Sequence, residues 1–264
     1  MTALLSVESL TVAFNGAPTP AVDDVSFALD RGRTLGLVGE SGSGKSTVAL
    51  ALLRLLPPAA RIRSGAVRFD GTEILGAPEA TLASLRGRRI AMIFQEPMAA
   101  LDPVMTVGDQ VAEPLVIHER RSWSDARIEA QRLLDRVGIP AARAASYPFE
   151  LSGGQRQRAM IAAAIALKPA LLVADEPTTA LDVTVQKEIL DLLLSLQSEI
   201  GMAMVFISHD LAVVSEMADT IAVMRAGAVV EQGAAADVIA RPRHPYTHAL
   251  LDAARSRVPR EEAR

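Results

Sequence analysis

The sequence predicts an α/β fold with a mostly parallel sheet core, an antiparallel β subdomain and an inserted α-helical lobe. Short apolar segments typical of buried strands alternate with helical patterns, and this alternation favours a parallel sheet covered on both faces. The stretch from about Arg88 to Ala166 is largely helical in pattern and interrupts that order. We therefore expect it to form a lobe inserted into the sheet domain.

Strand patterns are the first part of this prediction. Three early segments mix apolar–polar alternation with β-branched residues and are predicted strands: Leu4–Phe14, Val22–Leu29 and Ala66–Phe69. Shorter apolar runs have the composition of buried parallel strands: Thr34–Val38, Ile90–Phe94, Leu171–Ala174, Met204–Ile207 and Ile221–Met224. The segment from Met224 to Val230 predicts a late hairpin that turns at Gly227.

Helical patterns are the second part. They cover Lys45–Leu56, Ser124–Val137, Gly154–Leu167 and Asp182–Ile200. On these patterns we divide the chain into a core of residues 1–87 and 167–240 that includes the β subdomain, a helical lobe of residues 88–166 and a C-terminal tail of residues 241–264. The tail opens with prolines and ends in charged residues, so we expect it to be frayed.

Composition excludes several classes of protein. Half of the 264 residues are hydrophobic, which is enough for a sizeable core, and the net charge of −4 gives no basic footprint for a nucleic-acid partner. The absence of cysteine rules out disulfides and thiolate metal sites. The start of the chain reaches Glu8 before any apolar segment, unlike a signal peptide. The longest apolar run, Ala159–Leu167, is about half of the ~20 residues that a membrane helix needs, so we expect a cytosolic chain.

Residues 39–46 read GESGSGKS and match the phosphate-loop pattern G-x-x-x-x-G-K-[ST] at every fixed position, between a predicted strand and a predicted helix. Glycines let successive N–H groups point at phosphate oxygens, and the helix N-terminus adds its positive dipole end. Lys45 can reach the β- and γ-phosphates, and the Ser46 hydroxyl can bind Mg²⁺. The candidate nucleotide ligands here are Gly39, Glu40, Ser41, Gly42, Ser43, Gly44, Lys45, Ser46 and Thr47. The pattern predicts a P-loop NTPase but leaves kinases, GTPases, helicases and transport ATPases open.

A second candidate region is the acidic end of the predicted strand Leu171–Ala174. In an α/β sheet the carboxyl ends of the strands line the ligand crevice. Asp175 is placed to hold Mg²⁺ through water, and Glu176 can then act as the general base for an attacking water. Acidic residues after a strand also often cap the next helix. Because the same chain has a matching phosphate loop, a role in the nucleotide site is favoured over simple capping.

Residues 151–155 read LSGGQ, which places a serine and two glycines at the start of an apolar helix. On its own the serine is a favoured N-cap residue. Beside an ATP site, the same residues can form a second anion site through Ser152, Gly153, Gly154 and Gln155. The sequence leaves both interpretations possible at this point.

With the phosphate loop and the acidic strand end, this stretch resembles the LSGGQ signature of ABC transporter nucleotide-binding subunits, and the likeness covers nearly the whole chain. The resemblance implies binding of ATP and Mg²⁺, and hydrolysis in a head-to-tail dimer with a second ATPase subunit, identical or homologous. It also implies a separate permease that holds the subunit at the cytoplasmic face of the cell membrane. Further roles follow by resemblance for Gln95 (sensing Mg²⁺ and the γ-phosphate), Asp182 (dimer interface), His209 (contact to the γ-phosphate and Glu176) and Phe14 (stacking on adenine, or a core side chain).

Two segments narrow the branch of the family. Residues 94–103, FQEPMAALDP, resemble the extended Q-loop of peptide and nickel importers, and residues 241–251 resemble their HPYT segment. Such importers take up peptides, nickel or related solutes with an extracytoplasmic solute-binding protein. The alternative is a soluble ABC-type ATPase acting on nucleic acid, ribosomes or cofactor assembly. DNA-repair members need a long coiled coil and translation factors carry two ATPase halves, neither of which these 264 residues hold. A small-molecule kinase would leave LSGGQ unexplained.

Overall fold

A computed structural model describes residues 3–179 and 181–257, with side chains up to residue 254. The strands are β1 (Leu5–Phe14), β2 (Val22–Leu29), β3 (Thr34–Val38), β4 (Ala60–Phe69), β5 (Thr72–Glu73), β6 (Ile90–Ile93), β7 (Leu171–Asp175), β8 (Ala203–Ser208), β9 (Thr220–Arg225) and β10 (Ala228–Ala234). The helices are α1 (Lys45–Leu52), α2 (Glu79–Leu85), α3 (Pro97–Ala100), α4 (Val107–Glu119), α5 (Trp123–Arg136), α6 (Gly153–Ile165), α7 (Val183–Ile200), α8 (Leu211–Met217), α9 (Ala235–Ala240) and α10 (Pro245–Arg257). Short 3-10 helices cover Ala141–Ala145 and Pro148–Glu150.

Packing divides the chain into two compact units, Met1–Ala77 with Val205–Arg264, and Pro78–Met204. The first unit contains an antiparallel sheet with the strand order β2-β1-β4-β5. In that sheet Leu5 pairs with Leu29 on one side and with Phe69 on the other. All three side chains are buried, so the alternating pattern of the early segments places one face of this sheet against the core.

The same unit holds the strand order β10-β9-β3-β8. β3 runs parallel to β9, with Val38 opposite Val223, and β10 returns antiparallel to β9. Every residue of β3 is buried, which explains the unbroken apolar run in its sequence. The predicted hairpin is confirmed, since Arg225 pairs with Ala228 across a turn that contains Gly227.

The second unit combines two parallel strands with most of the long helices. β6 and β7 pair in parallel register from Ile90–Leu171 to Ile93–Ala174. Arg158 on α6 donates to the Val137 carbonyl at 2.8 Å and to Glu188 on α7 at 2.8 Å. These bonds fix the signature helix α6 relative to the end of α5 and to α7.

Three sequence-based predictions are corrected, two of them boundaries. The helix predicted to reach Leu56 ends at Leu52, because Arg54 adopts φ 51° and the Leu55 N–H bonds the Leu50 carbonyl at 2.8 Å, a Schellman ending. The strand predicted from Ala66 begins at Ala60. The tail predicted to be frayed is helical over Pro245–Arg257, and its charged end at residues 258–264 lies outside the described residues. In the described part of the chain, no helix combines the length and apolar character needed to cross a membrane.

Candidate nucleotide site

The phosphate loop lies between β3 and α1, as the sequence predicts. Gly44 adopts φ 102°, and a Cβ there would lie 2.3 Å from the Ala21 carbonyl oxygen. A Cβ on Gly39 would lie 2.2 Å from the Met224 carbonyl oxygen. Both positions therefore require glycine, because backbone atoms occupy the space that a side chain would need.

Lys45 begins α1 and is only 4% exposed. Its Nζ donates to the Gly39 carbonyl at 2.8 Å and to the Glu40 carbonyl at 2.9 Å. The ammonium is thus held on the backbone of the loop, at the positive end of a helix. This arrangement suits an anion that accepts from both the lysine and the loop amides.

The remaining predicted groups of this unit fall at strand ends and in the first turn of α1. Ser46 and Thr47 follow Lys45 and are half-buried. His209 comes directly after β8 and is exposed. Phe14 is the last residue of β1 and is half-buried. The structure therefore leaves both predicted roles of Phe14, adenine stacking and core packing, available.

In the second unit the acidic pair ends β7. Asp175 is 4% exposed, and Glu176 follows in a left-handed backbone conformation with φ 47°. One carboxylate oxygen of Glu176, Oε2, accepts from the Gln95 side chain at 3.3 Å and from the Thr179 hydroxyl at 2.8 Å. The structure thus places Gln95 in contact with Glu176, two residues for which the sequence predicted separate roles.

Thr179 is the residue of this group that sequence reasoning missed. Its N–H also bonds the Glu176 carbonyl at 3.2 Å, so the contact belongs to a single turn. The sequence does contain a signal for this contact, a hydroxyl residue three positions after an acid at the end of a strand. A tight turn at that spacing brings the threonine side chain back to the carboxylate.

The LSGGQ stretch begins α6 with a reciprocal capping box. The Ser152 hydroxyl accepts from the Gln155 N–H at 3.3 Å, and the Gln155 side chain accepts from the Ser152 N–H at 3.0 Å. Ser152 is nevertheless exposed, so its N-cap geometry leaves the residue open to a ligand from outside. Asp182 caps α7 with a single bond, its carboxylate accepting from the Val185 N–H at 3.0 Å.

The starts of these two helices pack closely. A Cβ on Gly154 would lie 2.8 Å from Val185 Cγ1, whereas one on Gly153 would meet Leu181 Cδ2 at an ordinary 3.6 Å. Of the two signature glycines, Gly154 is therefore needed for packing within the chain.

The candidate Mg²⁺ ligands fit the chemistry of that ion. Mg²⁺ prefers oxygen ligands, and at nucleotide sites it completes its shell with phosphate oxygens and water. The Ser46 hydroxyl, the Gln95 amide and the Asp175 carboxylate are such donors. Among the described residues no cluster of three His, Asp or Glu side chains could hold a metal alone. These three oxygen donors suit a Mg²⁺ ion that enters the site already bound to the phosphates of the nucleotide.

Comparison with known proteins gives the family. A family model described as ABC transporter matches residues 22–179. The chain is 52% identical over 255 residues to the peptidoglycan transport ATP-binding protein YejF of Agrobacterium fabrum, covering 95% of this chain and 47% of that protein. It is 48% identical over 264 residues to the glutathione import ATP-binding protein GsiA of Escherichia coli K12, covering 95% of this chain and 42% of that protein. The chain spans about half the length of the curated relatives it matches.

Solved structures agree. The ATP-binding cassette MJ0796, a dimer in a post-hydrolysis state bound to ADP and Pi, superposes with a TM-score of 0.79 at 28% identity, covering 88% of this chain and 98% of that one. The cbiO1 protein of Clostridium perfringens, part of the ABC transporter complex cbiONQ, gives a TM-score of 0.78 at 27% identity, covering 98% and 97%. The predicted fold class is confirmed, and the chain belongs to the ABC transporter family, with the fold of its ATP-binding cassettes.

Proposed function

We propose that this chain binds and hydrolyses ATP as the ATP-binding subunit of an ABC importer. The carrying observation is the phosphate loop of an ABC-family chain, with the buried Lys45 ammonium held on the Gly39 and Glu40 carbonyls at the start of α1. The relatives named above for peptidoglycan transport and glutathione import support an importer over the soluble ABC-type alternative.

In this proposal residues 39–47 bind the triphosphate, and Ser46, Gln95 and Asp175 hold Mg²⁺. When bound, Mg²⁺ neutralises phosphate charge that grows during transfer. Glu176 accepts the proton of the attacking water at its carboxylate, and Gln95 and Thr179 orient that carboxylate from Oε2. His209 contacts the γ-phosphate, and Phe14 stacks on adenine.

A second cassette completes the site. Ser152, Gly153, Gly154 and Gln155 of one cassette, with Asp182, serve ATP bound by the other in a head-to-tail dimer. A solved relative that is a dimer bound to ADP and Pi supports a dimer of cassettes. The partner is a second copy of the chain or a homologous cassette. In the proposed domain organisation, the ATPase core comprises residues 1–87 and 167–240. Residues 88–166 form the helical lobe with the Q-loop and the signature, and residues 241–264 form the C-terminal tail.

The transported solutes are peptides, nickel or related compounds, delivered by an extracytoplasmic solute-binding protein to a permease that holds this chain at the cytoplasmic face of the cell membrane. No nucleic-acid partner is expected. The permease contact is the segment 96–107 after Gln95, where Met98 is 46% and Val104 is 83% exposed. Apolar side chains that exposed suit a helix of the permease.

Cysteine crosslinking tests this contact in a chain without native cysteine. Met98→Cys and Ala100→Cys should crosslink to the permease in the assembled transporter, and Ala249→Cys, an exposed control on α10, should not. Crosslinks from the control alone would place the permease elsewhere.

ATP binding and turnover test the central proposal. Glu176→Gln should keep ATP affinity while turnover falls about 10²–10⁴-fold, the usual contribution of a general base. Lys45→Ala should lose affinity. Glu216→Gln, at an exposed glutamate of α8, is the matched control and should change neither quantity. Turnover of Glu176→Gln within a few-fold of wild type would show that Glu176 is not the base.

A further inference from the structure

The start of α10 contacts the phosphate loop. Tyr246, within the HPYT segment, is 6% exposed, and its hydroxyl oxygen accepts the Glu40 N–H at 2.9 Å, across 206 residues of sequence. None of the roles proposed above uses this tyrosine. The contact gives the HPYT segment a direct connection to the loop that is proposed to bind ATP.

Tyr246 and Lys45 hold opposite ends of one peptide unit. The peptide between residues 39 and 40 carries the Gly39 carbonyl, which accepts from Lys45 Nζ at 2.8 Å, and the Glu40 N–H, which bonds Tyr246. A peptide unit is planar, so fixing its N–H also fixes the direction of its carbonyl. The tyrosine hydroxyl therefore determines where an acceptor of the Lys45 ammonium points.

Tyr246 is itself held firmly. The Arg225 guanidinium lies over its ring at 5.0 Å from the centroid, and its N–H donates to His244 Nδ1 at 3.1 Å. The Glu231 carboxylate accepts from the N–H groups of Arg243 and His244 at 2.8 and 3.0 Å. Burial raises the pKa of the Tyr246 phenol above its ordinary value of 10.0, so the hydroxyl stays neutral near pH 7.

We infer that Tyr246 is a positioning residue for ATP binding, acting through the 39–40 peptide on Lys45. The inference rests on the proposed function. Without the hydroxyl, the Glu40 N–H loses its partner and the peptide can rotate. Lys45 then loses a fixed carbonyl and spends part of its time away from the geometry that meets phosphate.

The test is Mg²⁺-ATP binding by the 264-residue chain, measured by titration calorimetry. Tyr246→Phe keeps the ring and its contact with Arg225 but removes the hydroxyl. We expect an affinity about three- to tenfold weaker, the usual effect of one lost hydrogen bond. Tyr147→Phe, at the other of the chain's two tyrosines, is the matched control and should bind like wild type.

Amide hydrogen exchange separates positioning from general stability. The Glu40 amide should exchange faster in Tyr246→Phe than in wild type or Tyr147→Phe, at a temperature well below every thermal midpoint. Unchanged ATP affinity and unchanged Glu40 exchange in Tyr246→Phe would overturn the inference. So would an affinity loss that appears equally in Tyr147→Phe. Failure of wild type to bind ATP, or full binding by Lys45→Ala, would instead reject the proposed function.

Discussion

The Thr179 hydroxyl donates a 2.8 Å hydrogen bond to Oε2 of Glu176, the carboxylate oxygen that also accepts from Gln95. Glu176 has φ 47°, a conformation that costs free energy in any residue other than glycine. The turn from Glu176 to Thr179 therefore does two things at once. It stabilises an unfavourable backbone, and it orients the side chain proposed to take a proton from water.

Removing this hydroxyl should slow hydrolysis without weakening ATP binding. Thr179→Val keeps the shape of the side chain but loses the bond, and we expect turnover to fall roughly tenfold, the effect of one hydrogen bond to a charged group. Thr179→Ser keeps the hydroxyl and should remain near wild type. Steady-state turnover and equilibrium ATP affinity are the measurements. Equal turnover of the valine and serine variants would remove Thr179 from the mechanism.

Gly154→Ala should destabilise the second unit. Its Cβ would lie 2.8 Å from Val185 Cγ1, and a β-branched side chain on a helix moves aside poorly. Overpacking costs about 1–3 kcal/mol. The better helix propensity of alanine offsets at most about 1 kcal/mol of this. Gly153→Ala meets only an ordinary 3.6 Å contact and is the matched control.

Urea unfolding measures this effect, and Val185→Ala supplies the rescue. The double variant Gly154→Ala/Val185→Ala should be more stable than the sum of the two single changes predicts, because the second change makes room for the first. Strict additivity would show that the close approach to Val185 does not limit this position.

Mixing two inactive variants tests the shared site. Lys45→Ala removes the phosphate lysine, and Ser152→Arg blocks the exposed start of α6. Each variant should be inactive alone. A mixed dimer has one site with both defects and one with neither, so ATP hydrolysis should partly return. If the natural partner is a homologous cassette, the two changes are placed on different subunits.

Protein concentration is the control for that experiment. The rate of ATP hydrolysis per chain of the wild-type protein should rise with protein concentration as dimers form. A wild-type chain that hydrolyses ATP at full rate as a monomer would exclude the shared site.

The ion pair between Asp109 on α4 and Arg127 on α5 predicts a pH-dependent stability. Arg127 Nε lies 2.6 Å from Asp109 Oδ1, and this hydrogen bond holds the pKa of Asp109 below its ordinary value of 3.8. A carboxyl with a lower pKa in the folded state stabilises the fold above its unfolded-state pKa. That stabilisation is lost as the pH falls through the folded-state pKa.

Asp109→Asn should therefore unfold at slightly lower urea concentration than wild type at pH 7, and the gap should close below about pH 4. The effect is small because both side chains are partly exposed. Asp191→Asn, at an exposed aspartate on α7, is the control. A gap for Asp109→Asn that stays constant from pH 7 to pH 3 would contradict the ion-pair explanation.

The sequence by itself determined the phosphate loop, the buried strands and the positions of four helices, α1, α5, α6 and α7. These features are local: β3 is a continuous apolar run, and Gly44–Lys45 belongs to a pattern read within eight residues. The ends of helices were harder to predict from the sequence. The left-handed residue that ends α1 is Arg54, and an arginine, unlike a glycine, does not mark a helix end.

Only the tertiary structure decided which groups meet. The bond from Glu40 to Tyr246 joins residues 206 positions apart, and the bond from Gln95 to Glu176 joins residues 81 apart. No periodicity or spacing encodes such contacts, because the intervening strands and helices set the distance between the two ends. The sequence therefore supplied the chemical groups of the candidate site, and packing selected the hydrogen-bond partners that hold them in place.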